Sequence, residues 1–180
     1  MDLNIILQEI QEEIQKYSTK GKLANYIPML AQADESDFAI SIITLEGEEF
    51  HIGCSDKKFS IQSISKVFTF TLALEHYSKQ LYKRVGHEPS GDPFNSLVQL
   101  EYESGIPRNP FINAGAIVTT DCLTSIFKNN AFDEILAFMK KVSHEENITY
   151  DVSVSRLNKL TNVPVLLSKA PRKIKEILVE

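Results

Sequence analysis

Residues Phe59-Ser-Ile-Gln-Ser-Ile-Ser-Lys-Val-Phe68 place three serines and a lysine where an apolar helix is expected to enter a core. Ser63 and Lys66 stand three positions apart, and residues at that spacing share one face of a helix. A serine hydroxyl is a poor nucleophile until a base takes its proton. Lysine serves as that base only when it is neutral, which requires burial or nearby positive charge. A serine in the first helical turn also gains the positive end of the helix dipole. Its backbone N–H can donate to a developing oxyanion. The stretch therefore predicts a helix that opens near Ser63, with Ser63 as nucleophile and Lys66 as base.

Spacing alone is weak support, because Ser55–Lys58 and Ser125–Lys128 have it too. Context separates them. Upstream of Ser63, Phe38–Thr44 is rich in β-branched residues and reads as a strand. Leu45–Glu48 is a turn, and Glu49–Cys54 is the returning strand of a hairpin. Ser55 lies in the loop after that hairpin, and Ser125 lies late in another helix.

Further out, Leu3, Ile6, Ile10, Ile14 and Tyr17 fall at helical spacing and predict an amphipathic helix over 2–17. Val67, Phe70, Thr71 and Leu74 are the expected repeat of the helix after Ser63. A long stretch from Val85 to Pro110 is punctuated by Gly and Pro, as active-site loops often are. Ile112–Phe127 reads as a buried helix that starts on small residues, and Asp133–Val142 as a third, with an acid in its first turn. Pro171 is expected to start a short helix through Leu178.

Other chemistry-bearing residues are less promising. His51, His76, His87 and His144 are dispersed, with no obvious Ser or Cys partner. Cys122 lies mid-helix among apolar neighbours and reads as a core residue. Asn113 carries a donor and an acceptor, and the small residues after it allow close approach. It reads equally as a helix N-cap and as a ligand contact. Tyr26 reads as an ordinary half-buried aromatic, with a pocket-facing hydroxyl as the alternative.

Composition narrows the function class. Hydrophobic residues at 43% and charged residues at 24% give an ordinary globular balance, so 180 residues can form a real core. The net charge is −5 and basic residues are scattered, which argues against a nucleic-acid partner. No apolar run approaches the roughly 20 residues of a membrane span. Met1-Asp2-Leu3-Asn4 lacks the basic start of a signal peptide. Two cysteines without metal-ligand spacing suit a reduced setting, so a cytoplasmic location away from membranes is expected.

Four stretches in unbroken order carry a family resemblance: Asn25-Tyr-Ile-Pro28, Phe59–Phe68, Val85-Gly-His-Glu-Pro-Ser-Gly91 and Asn109-Pro-Phe-Ile-Asn-Ala-Gly-Ala116. Together they resemble the serine-dependent glutaminases, from about Leu23 to Thr149. The resemblance implies an α/β (α+β) chain of β-lactamase/transpeptidase-like fold, with an N-terminal helix and β-hairpin followed by a helical region. It implies hydrolysis of L-glutamine to L-glutamate and ammonia through an acyl-enzyme on Ser63, with Lys66 as base. Tyr26 matches the tyrosine beside the nucleophile, and Gln62 and Asn113 match positions that contact substrate. No metal or organic cofactor is implied, and family members form homo-oligomers.

Residues 151–180 depart from the family pattern. Ser155 is followed by Arg156 where the family has a Ser-Glu pair, and the Arg-Asn-Arg-Ala stretch and the later Lys-Ser-Gly strand are missing. The resemblance thus divides the chain into 1–150, the N-terminal part of a glutaminase domain, and 151–180, a divergent or out-of-frame tail. A domain incomplete at its C-terminus is expected to be poorly active. Two alternatives stay open. One is a non-catalytic remnant or oligomerisation partner of the same fold. The other is a different Ser-x-x-Lys acyl hydrolase, revealed by acylation with a β-lactam.

Overall fold

The computed structural model describes residues 2–17, 21–26, 28–91 and 97–150. The expected boundary at residue 150, the tail beyond it and the helix from Pro171 lie outside the described residues. The chain forms two compact units, Met1–Ser60 and Ile61–Glu180. Among the described residues no helix is long and apolar enough to cross a membrane.

The first unit holds helix α1 (Leu3–Gln15) and strands β1 (Ala39–Ile43) and β2 (Glu49–Gly53). Asp2 caps α1, its carboxylate accepting from Asn4 N at 2.9 Å. α1 packs on β2 through Leu7, its buried residue. The expected stripe is only partly used, because Ile10, Ile14 and Tyr17 are exposed. The strands pair antiparallel, with Ile40 opposite Ile52 and Ile42 opposite Phe50. The alternation of their side chains follows the two-residue period of a strand. Gly53 ends β2 at φ +72°, and a Cβ there would lie 2.0 Å from Phe38 O. Only glycine fits that conformation and that contact.

The described residues of the second unit are helical: α2 (Ser65–Tyr77), α3 (Leu97–Tyr102), α4 (Asn113–Phe127) and α5 (Ala131–Ser143). α2, α4 and α5 pack against one another. Leu72, Ala73, Leu81, Val85, Val118, Cys122, Leu123, Ile135 and Met139 form their core. α5 starts two residues earlier than expected, with Asp133 and Glu134 in its first turn and Lys140 and Lys141 in its last. Those charges complement the helix dipole at both ends. α3 was not expected, since short helices inside Gly- and Pro-punctuated segments leave little periodic signal.

The buried face of α2 matches the expected one only in part, since Phe70 and Leu74 pack against the core but are not its most buried positions. Lys66, Thr69, Leu72 and Ala73 point inward, while Val67 is 49% exposed. An apolar repeat located the helix, but a lysine with partners in the interior set its facing.

Substituting Leu123→Ala, at a fully buried position, is expected to destabilise the fold by about 2–5 kcal/mol. The urea-unfolding midpoint measures this. Gly53→Ala is expected to lower the same midpoint, through both the positive φ and the clash with Phe38 O.

Candidate active site

α2 is preceded by one 3₁₀ turn, Gln62–Ile64. Gln62 has φ +45°, uncommon for a residue with a side chain and costing about 1 kcal/mol or more. Ser65 supports it, donating its Oγ–H to Gln62 O at 2.8 Å. Thr69 Oγ1 in turn donates to Ser65 O at 3.1 Å. This strained turn carries Ser63 at the surface, where its side chain is exposed. The helix start at Ser63 is thus a tight turn that passes into regular α-helix at Ser65.

One turn on, Lys66 is 6% exposed. Its Nζ donates to Phe111 O at 2.9 Å and to Asn113 Oδ1 at 2.8 Å. Burial pushes the amine below the ordinary lysine value. The apolar wall nearby includes Phe70, edge-on to Phe111 with ring centroids 5.6 Å apart.

Asn113 is the first residue of α4, and the N-cap is Ile112. The cap reading of Asn113 is therefore corrected: its oxygen is engaged by Lys66. No side chain caps α4; Asn109 instead holds the segment before the helix, its Oδ1 accepting from Phe111 N and Ile112 N at 2.9 and 3.1 Å. Sequence reading passed over Asn109 and the Phe111 carbonyl. The Asn-Pro that opens the fourth motif was the available signal, since Asn before a turn commonly bonds the backbone two residues on.

Tyr26 belongs to the first unit and is 61% exposed, so the half-buried reading does not hold. Gln62 is half-buried. At the other Ser-x-x-Lys pairs, Ser55 and Lys58 lie in the loop after β2. Lys128 Nζ donates to the Ser125 carbonyl at the end of α4, and Ser125 Oγ donates to Asp121 O. Neither lysine is buried. Cys122 is fully buried, and burial pushes its thiol up, as expected of a core cysteine. Among the described residues no group of three His, Cys, Asp or Glu side chains is placed to hold a metal ion.

An exposed serine thus stands one turn before a buried lysine whose amine donates to Asn113. The glutaminase family model matches residues 21–164. The chain belongs to the glutaminase family. It is 60% identical over 154 residues to a glutaminase of Aliarcobacter butzleri, covering 86% of this chain and 50% of that one. The probable glutaminase ybaS has a similar structure, with a TM-score of 0.74 and 32% identity, over 86% of this chain and 52% of that one. A probable glutaminase from Bacillus subtilis, complexed with 6-diazo-5-oxo-L-norleucine, shares the fold with a TM-score of 0.75 and 24% identity, over 99% of this chain and 56% of that one. The chain spans about half the length of the curated relatives it matches.

The depressed Lys66 amine links protonation to stability. Its unfolded state binds a proton more readily than its folded state at pH values up to the ordinary 10.5. Stability from this group therefore rises with pH through a window that ends near 10.5. Lys66→Met is expected to remove that rise, so that the two unfolding curves differ in their pH slope. Urea midpoints across neutral to alkaline pH measure it, and parallel slopes would contradict it.

Proposed function

We propose that this chain carries the nucleophilic centre of a glutaminase that hydrolyses L-glutamine to L-glutamate and ammonia. The observation that carries the reading is the buried Lys66 amine, held by Phe111 O and Asn113 Oδ1. In its neutral state an amine held by two acceptors directs its lone pair away from both. That lone pair is the proton acceptor the mechanism requires.

In this reading Ser63 Oγ attacks the carboxamide carbon of the substrate as Lys66 takes the hydroxyl proton. The carbonyl π electrons move to oxygen, and the Ser63 N–H at the start of the turn donates to that oxyanion. Collapse of the adduct expels the nitrogen as ammonia, with the proton returned from Lys66. Water then attacks the Ser63 ester, again losing a proton to Lys66, and glutamate leaves as Ser63 regains its hydrogen. Asn113 has its oxygen engaged by Lys66, and its Nδ2 remains the group suited to donate to substrate. Gln62 and Tyr26 are assigned substrate contact, and Tyr26 also assists proton transfer, on the family motifs alone. A cytoplasmic homo-oligomer belongs to the same reading, and light scattering tests the assembly.

The 6-diazo-5-oxo-L-norleucine held by the Bacillus subtilis protein is a useful probe here. Covalent labelling located by mass spectrometry is expected at Ser63, and Ser63→Ala is expected to abolish it. Lys66→Ala is expected to slow ammonia release from glutamine by roughly 100- to 10,000-fold. Ammonia release that is measurable in the wild type and unchanged in Ser63→Ala overturns the reading, and so does labelling by the diazo compound that persists in Ser63→Ala.

A further inference from the structure

The segment that presents a carbonyl to Lys66 is itself gripped by a side chain outside the Ser63–Lys66–Asn113 set. Asn109 Oδ1 accepts from Ile112 N at 3.1 Å, and Phe111 O accepts from Lys66 Nζ at 2.9 Å. These two groups are opposite edges of one planar peptide unit. Asn109 and Lys66 therefore hold the same rigid plate from its two sides. Asn109 Oδ1 also accepts from Phe111 N at 2.9 Å, which fixes the preceding peptide.

Asn109 is anchored in turn. Its Nδ2 donates to Glu88 O at 2.9 Å. Beside it, Gly86 N donates to Pro107 O and Glu88 N to Arg108 O, at 2.8 and 3.0 Å. These bonds tie two distant stretches of the loop into a strap. From below, α4 presses Gly115 so close that a Cβ would lie 1.9 Å from Asn109 O. The strap, the side-chain amide and the helix start leave the residue little freedom.

We propose that Asn109 is a positioning residue: by holding the Ile112 end of the 111–112 peptide, it fixes the Phe111 carbonyl at the Lys66 amine and so sets the direction of that amine's lone pair. The inference rests on Lys66 as the base of the proposed reaction. It adds a role for the Asn-Pro that opens the fourth motif.

The test is NMR of the full chain labelled at lysine Cε, with the Lys66 resonance identified by its loss in Lys66→Arg. Asn109→Ala is expected to move the Lys66 titration upward, toward the ordinary lysine value, as the freed carbonyl drifts and water enters. Asn109→Ser keeps a shorter acceptor and is expected to give a smaller shift of the same sign. It also serves if the alanine variant fails to fold. Arg108→Ala removes contacts of the same loop to Glu103 and Pro89 but leaves the Asn109 grip intact. It is expected to lower the melting temperature without moving Lys66. An unmoved Lys66 in both Asn109 variants overturns the inference, and so does an equal shift in Arg108→Ala. A wild-type Lys66 that already titrates as a surface lysine overturns the base reading instead, and shows before any substitution is made.

Discussion

A lysine amine taken out of water needs acceptors, and the second unit is arranged around supplying them to Lys66. Leaving the amine buried and unpartnered would cost several kcal/mol. Both named acceptors come from residues more than forty positions later, at Phe111 and Asn113. The pair can form only if α2 and α4 pack closely, as they do, while the buried Gly115 makes room for the Asn109 backbone. The start of α4 thus serves both packing and chemistry. It brings a backbone carbonyl and a side-chain oxygen within reach of one buried nitrogen.

The loop between α2 and α4 follows from the same requirement. A carbonyl presented by a slack loop would be a poor acceptor for a group that must hold one orientation. Here the loop is bonded to itself across some twenty residues, through Gly86, Glu88 and Asn109. Gly86 has no room for a Cβ, which would sit 2.6 Å from Arg108 O. The strain at Gln62 belongs to the same design, since a tight turn exposes Ser63 while burying Lys66 one turn later. Strain of that kind persists where surrounding bonds over-determine it, as Ser65 does for Gln62.

Periodic signals were read well. The hairpin of β1 and β2 alternates with a period of two, and its bounds fell within one residue of the expected ones. Helices α1, α4 and α5 were each found within two residues at either end. What failed was facing and capping. Ile10 and Ile14 have helical spacing but remain exposed, because α1 packs mainly on β2 and Leu7 is its buried residue among those described. α2 turns its lysine inward against the apolar repeat. Asn113 resembles a cap but its oxygen accepts from Lys66, while Asn109 holds the two backbone N–H groups just before the helix.

By itself the sequence determined that Ser63 and Lys66 lie one turn apart at a helix start, since helical spacing is a local property of the chain. It also determined family membership, because several motifs in fixed order are far more specific than one spacing. Only the tertiary structure decided that Lys66 is buried and that its partners include the Phe111 carbonyl and Asn113. Burial and long-range hydrogen bonds depend on which surfaces meet. Local periodicity carries no record of a contact made with residues more than forty positions away.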